Sequence, residues 1–303
     1  MIRTMTLRSR YDDLDISVLV VSPEGQTHAV IQFAHGMCGC KERFLPVMEY
    51  MAGKGITCVA GDHRGHGASI KSPDDLGYMY DGGFRALVDD MRLITAWAHK
   101  EYPEVPLYLL GHSMGSLAAR IYAKEDDSEI DGLVICGSPS WNNKVHVGRL
   151  ITWMLCHIGL SRYRMTVSQR ANSRKFNKRF SSEGELAWTC SNADSRQSFR
   201  ENPLCNFALT ANGSNNLMNM LFETYRIGPW SVTKPDMPIF FVSGEDDPTI
   251  ISEEKFHQSA QNICNRGYRN VTSAIYPGMR HEVLNETGKE EVWNDIIASL
   301  NLT

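Results

Sequence analysis

The chain has 303 residues, 42% of them hydrophobic and 22% charged, with a net charge of −4. This is ordinary globular composition with enough material for a large core and an accessory domain, and it excludes a strongly basic nucleic-acid-binding protein. The first residues, MIRTMTLRSRYDDLD, contain no apolar h-region, so no secretory signal is expected. The longest apolar segment, Val145 to Leu160, carries Arg149 and His157 and falls short of the roughly 17–25 residues of a spanning helix. Eight cysteines are scattered along the chain; Cys38-Gly-Cys40 is the one close pair and lacks a matching second pair, so reduced cytoplasmic thiols are expected rather than zinc ligands.

In chain order, HAVIQFAHG (28–36) and GITCVAGDHRGHG (55–67) each read as a buried strand running into a glycine-rich turn. FLPVMEYMAGKG (44–55) between them reads as a helix closed by glycine. In 81–103, Phe84, Leu87, Val88, Met91, Ile94 and Trp97 share one helical face. Leu107 to Leu110 form a short apolar strand, and Leu117, Ala118, Ile121 and Tyr122 mark a helix directly after it. DGLVICGSP (131–139), MPIFFVSGEDDP (237–248) and NVTSAIYPG (270–278) are further strands, and GKEEVWNDIIASL (288–300) is a closing helix. Alternation of this kind predicts an α/β fold: a mostly parallel central sheet flanked by helices.

Residues 140–232 break the rhythm. They are helical and basic, with no acid between Asp131 and Glu183, while Arg162, Arg164, Arg170, Arg174, Lys175, Lys178 and Arg179 accumulate. The expected organisation is a core in two parts, 1–139 and 233–303, with 140–232 inserted as a helical cap. Val147, Leu150, Ile151, Met154, Leu155 and Ile158 make a helical stripe within the cap, expected to be buried against the sheet domain or, in an enzyme for acyl chains, to line the pocket or touch lipid. The basic run reads as a solvated face or as an attraction for anionic lipid, a peripheral membrane contact.

The chemistry points to Gly111-His112-Ser113-Met114-Gly115, a G-x-S-x-G elbow with a strand before it and a helix after it. A strand that turns straight into a helix strains the corner residue and projects its side chain, and a Cβ at Gly111 or Gly115 would collide with neighbouring backbone. Serine needs a base, and the base a carboxylate, in the chain order Ser, acid, His. Asp246 and Asp247 follow one late strand and His281 the next, after a Pro-Gly turn. Asp247 is taken as the acid, although spacing alone does not separate it from Asp246. The N–H groups of Met114 and Met37 are the expected oxyanion donors, with Gly36 allowing close approach.

The set HGM, DHRGHGAS, GHSMG, SGEDDP and YPGMRHEVLNE resembles the monoacylglycerol lipase and lysophospholipase branch of the α/β-hydrolases, over roughly 25–140 and 235–303. The resemblance aligns the acid with Asp247, the base with His281 and the oxyanion donors with Met37 and Met114. It implies the α/β-hydrolase fold and cofactor-free, serine-dependent hydrolysis of monoacylglycerols, lysophospholipids or similar acyl esters under a mobile cap. The alternatives on the same triad are acyl transfer, peptidase action and aromatic-ester hydrolysis, or, with no catalysis at all, ligand binding. His35 reads as a hydrogen-bonder ordering the oxyanion loop and, with Met154 and Met218, is a candidate substrate-binding residue. His63 and His66 near Asp62 read as turn chemistry rather than metal ligands. The partner expected is a small acyl ester or lipid, with no nucleic acid and no metal; oligomeric state is left open.

Overall fold

The computed structural model describes residues 1–302. Eight strands form one sheet in the order β1-β2-β4-β3-β5-β6-β7-β8. They are β1 (Ile2–Arg8), β2 (Asp15–Val21), β3 (Ala29–Ala34), β4 (Ile56–Gly61), β5 (Leu107–His112), β6 (Gly132–Cys136), β7 (Ile239–Gly244) and β8 (Val271–Tyr276). β1 and β2 are antiparallel to their neighbours; from β4 to β8 every pairing is parallel. The six parallel strands coincide with the six apolar runs read from the sequence. Parallel strands are buried on both faces, and β3, β4 and β7 are buried at every residue.

Each face of the sheet has its own core. On one side lie α2 (Gly83–Glu101), α3 (Met114–Glu125), α7 (Ala211–Tyr225) and α8 (Glu253–Cys264), through Leu87, Met91, Leu117, Tyr122, Met220 and Phe256. On the other, α1 (Leu45–Ala52) and α9 (Lys289–Ser299) bring Val47, Met48, Met51, Trp293, Ile296 and Ile297. The chain moves from β3 outward to β4, then crosses back to β5 on the other side of β3. The carboxyl ends of β3 and β5 therefore lie side by side at the switch point, the usual place for a ligand crevice in open α/β sheets.

The antiparallel hairpin β1–β2 and helix α8 are additions to the elements read from the sequence. In β1 no residue is fully buried, because it is the edge strand, so it lacks the apolar run that marks its parallel neighbours. Between β6 and β7 the chain passes through α4 (Lys144–His157), α5 (Thr166–Phe176), α6 (Ala193–Glu201) and α7. α7 packs on α2 and α3 as well as on α4, so this insertion is rooted in the core rather than laid over it.

One expectation is corrected here. The apolar stripe of α4 is not buried against the sheet domain: Val147, Leu150, Ile151, Met154 and Ile158 are all at least half exposed. α4 instead meets α7 through its small and polar face. Gly148 abuts Met218, the Arg149 guanidinium lies 3.9 Å from the Phe222 ring centre and donates to Asn219, and Asn215 donates to Thr152 Oγ1. These hydrogen bonds need partners at close range, which the apolar row does not supply.

The two classes of apolar residue should respond differently to truncation. Phe241 is fully buried and packs edge-on against Phe256 at 6.2 Å, so Phe241→Ala should destabilise by about 3–5 kcal/mol in denaturant unfolding. Leu150→Ala should stay within about 0.5 kcal/mol of the parent. A comparable loss at Leu150 would mean that its side chain is covered in solution.

Candidate active site

Ser113 occupies the corner between β5 and α3 with φ +53° and ψ −117°. A side-chain-bearing residue held there costs on the order of 1–3 kcal/mol. Its N–H donates to Cys136 O on β6, while its carbonyl accepts from Ser116 N and Ser116 Oγ. The flanking glycines are obligatory on contact distances. A Cβ on Gly111 would stand 2.4 Å from Gly115 O, and one on Gly115 would stand 2.1 Å from Ala34 O. β5, α3 and the end of β3 are thus drawn together to a spacing that only hydrogen at these two Cα positions permits.

Ser113 Oγ lies 2.9 Å from His281 Nε2, and His281 Nδ1 lies 2.9 Å from Asp247 Oδ2. An ionised carboxylate can only accept, so Nδ1 carries the proton and Nε2 is left to receive one from Ser113. Asp247 is itself held on both oxygens: Thr249 N–H donates to Oδ1 at 2.8 Å and Ser243 Oγ–H to Oδ2 at 3.0 Å. Burial pushes the Asp247 carboxyl upward, but the facing imidazole and these donors outweigh it, and the net shift is downward. For His281 burial disfavours the charged ring, yet Asp247 more than compensates and its pKa is raised. Asp246, by contrast, pairs with Arg179 of the insertion, so the structure separates the two adjacent aspartates.

The loop after β3 is braced by histidines. His35 Nδ1–H donates to Gly36 O at 2.8 Å, and His35 Nε2 accepts from His63 N–H at 3.0 Å. His63 Nε2–H returns a bond to His35 O. Burial lowers His35 to about 4 and His66 to about 3, so these rings are neutral struts at ordinary pH. Asp62 accepts from Lys41 N, Lys41 Nζ and Ala68 N, which fixes the start of the DHRGHG turn. The loop closes tightly on Ser113: a Cβ on Gly36 would lie 3.1 Å from Ser113 Cβ. Among the described residues neither Met37 N–H nor Met114 N–H is donated to another group, so both are free to serve an anion beside Ser113.

Around His281 the structure assembles groups that sequence reasoning missed. His112 Nε2–H donates to His281 O at 3.1 Å, tying the elbow to the base. Trp188 lies over the imidazole, with ring centres 5.3 Å apart, and is held by Ser173 Oγ and Asn177 Oδ1. Arg280 donates to Ala187 O and Glu183, under the Phe180 ring at 3.8 Å. Glu282 N–H donates to Thr189 O, and its carboxylate pairs with Arg43. His112 was visible within the pentapeptide itself; Trp188 sits in an aperiodic stretch and gave no such signal. Met154 lies on the outward row of α4 and Met218 packs against Gly148, so neither is among the groups brought to His281.

The sequence pattern of the Hydrolase_4 family, described as serine aminopeptidase S33, matches residues 25–288. The chain belongs to this family. It is 29% identical over 161 residues to the monoglyceride lipase of Rattus norvegicus, covering 50% of each chain, so it spans about half the length of the curated relatives it matches. Its structure superposes on a thermostable carboxyl esterase from Bacillus coagulans with a TM-score of 0.87 at 21% identity, over 99% of this chain and 98% of that one. A soluble variant of the Saccharomyces cerevisiae monoglyceride lipase superposes at 0.74 and 17% identity, over 98% and 94%. These likenesses establish the α/β-hydrolase fold.

The raised pKa of His281 has a defined consequence. The ring must be neutral to accept a proton, so any reaction it serves should fall as pH drops through a value above the ordinary 6.5. Asp247→Asn should move that limb to lower pH and reduce turnover about 10⁴-fold. An unmoved limb would mean that another group titrates.

Proposed function

We propose that the protein is a serine carboxylic-ester hydrolase acting on monoacylglycerols, lysophospholipids or similar acyl esters. The observation that carries this reading is the continuous chain from Ser113 Oγ through His281 to Asp247, beside two undonated backbone N–H groups. Ser113 Oγ attacks the ester carbonyl as His281 Nε2 takes its proton. The N–H groups of Met37 and Met114 receive the oxyanion, and Asp247 stabilises the imidazolium. Collapse expels the alcohol with the proton from His281. Water, deprotonated in turn by His281, then attacks the acyl-serine, and the leaving Ser113 oxygen recovers a proton.

Residues 140–232 act in this reading as the cap that selects substrates over a core of 1–139 and 233–303. The apolar row of α4 and the basic Arg170, Arg174, Lys175 and Lys178 are all exposed, the two ingredients of contact with an anionic lipid interface. Among the described residues no helix is long and apolar enough to cross a membrane, so contact of this kind would be peripheral. The substrate assignment draws on the likeness to monoglyceride lipases. The family description also raises an aminopeptidase reading. That activity requires a free carboxylate for the substrate ammonium, whereas Asp246 and Glu282, the carboxylates beside the triad, are each paired with an arginine.

Two experiments test the proposal. Purified protein should hydrolyse p-nitrophenyl esters between acetate and palmitate, and Ser113→Ala should lose at least about 10³-fold of that rate while keeping its fold. Inertness across the series, with cleavage of aminoacyl p-nitroanilides instead, would reverse the assignment. Cosedimentation with phosphatidylglycerol vesicles should fall on changing Leu150 and Ile151 to Asp; unchanged binding would remove the peripheral role from α4.

A further inference from the structure

We propose that Cys40 and Cys205 are a redox modification site: a reversible disulfide that fastens the cap to the oxyanion loop. Their Sγ atoms lie 3.4 Å apart across 165 positions of sequence. Cys40 follows Met37 by three residues and leads into the 3-10 turn Lys41–Phe44; Cys205 lies in the cap between α6 and α7. Among the described residues no other thiol has a second thiol as its partner. Cys38 faces the Gln169 amide, Cys190 faces Asn285 O, and Cys58 and Cys136 are enclosed in the sheet. All eight cysteines are free thiols.

The surroundings hold the two sulfurs in place. Asn206 N–H donates to Cys38 O at 2.9 Å, Asn202 Nδ2 donates to Cys40 Sγ, and Arg43 reaches Ser195 while lying over the Phe199 ring. Gln169 donates to Phe207 O as well as to Cys38 Sγ. This seam joins the loop that carries Met37 to the insertion at several points, and a disulfide would make it covalent. Forming an S–S bond of ~2.0 Å requires the two sulfurs to close from 3.4 Å.

The oxidant is a hydroperoxide, small enough for a site where Cys205 is 6% exposed and Cys40 fully enclosed. The Cys205 thiolate attacks one peroxide oxygen; the O–O bond breaks, the sulfur becomes a sulfenic acid, and the other oxygen leaves as water. Cys40 sulfur then attacks that sulfenic sulfur, the S–O bond breaks, and a second water leaves with the Cys40 proton. The balance is two thiols and one hydrogen peroxide giving one disulfide and two waters. Cys205 is the residue of the pair open to solvent while Cys40 is enclosed, which assigns the first attack to Cys205.

The effect on activity rests on the esterase reading, in which the cap must part from the core to admit a long acyl chain; the bond itself does not depend on it. The full-length protein is treated with hydrogen peroxide, alkylated and mapped by mass spectrometry. The intact mass should fall by roughly 2 Da, with the tryptic peptide ending at Lys41 joined to the one beginning at Glu201. Cys40→Ser and Cys205→Ser should each abolish the cross-link, while Cys38→Ser should keep it. Oxidised protein should lose about fivefold or more of kcat/KM on p-nitrophenyl dodecanoate, restored by dithiothreitol, with acetate hydrolysis changed less than about twofold. Absence of the joined peptide, or its persistence in Cys40→Ser, overturns the site. An unchanged dodecanoate rate in cross-linked protein overturns the tether. Should a variant fail to fold, fragment-ion sequencing of the joined wild-type peptides, which separates Cys38 from Cys40, decides, and a protein inert toward every ester can still be cross-linked.

Discussion

The structure depends on one strained corner. Ser113 is held at positive φ because β5 turns into α3 without an intervening loop, and that turn is possible only where Gly111 and Gly115 let three backbone segments touch. The strain is offset by the buried ladder on either side, β3 and β6, and by the apolar face of α3, every residue of which up to Lys124 is buried. In return the corner sets the hydroxyl at the carboxyl edge of the sheet and leaves the first N–H of α3 undonated. A projecting hydroxyl and a free N–H beside it are thus two outcomes of one backbone constraint.

Everything else in the site is arranged around that fixed point. His281 and Asp247 arrive on loops after β8 and β7, and loops alone would leave them imprecise. Their positions are fixed by donors from several directions: Ser243 and Thr249 on the carboxylate, and His112 on the backbone of His281. The insertion adds a roof through Trp188 and a clasp, in which Ala187 O accepts from Arg280, Thr189 O accepts from Glu282 N–H, and the hydroxyl and N–H of Ser191 donate to the buried Glu286. His281 is therefore enclosed on the side away from the sheet, which strengthens its interaction with Asp247.

How much of this could be read from the chain follows from where each signal originates. Parallel strands spell themselves as apolar runs where both faces are covered, and all six were legible, including the half-exposed edge strand β8, as was the corner, because its glycines answer to local sterics. The order serine, acid, histidine singled out Ser113 and His281, which the fold brings to 2.9 Å of each other. Asp247 could not be told from Asp246 by spacing, since the difference lies in tertiary partners: one carboxylate faces an imidazole, the other an arginine 67 residues away. The stripe of α4 was misread for a related reason. Periodicity reports that a helix has an apolar face, not which neighbour that face meets, and here Arg149, Thr152 and the asparagines of α7 claim the interior instead. Trp188 was invisible because it acts through a single ring contact made by an irregular segment.

The most direct measurement is covalent labelling by a fluorophosphonate, followed by peptide mapping and a rate profile against pH. If the corner and its hydrogen-bonded chain act as described, Ser113 is the labelled residue, the rate falls at low pH through a value above 6.5, and His281→Ala abolishes labelling. Labelling at another serine, or an unaltered rate in His281→Ala, would contradict the assignment of Ser113 as a nucleophile activated by His281.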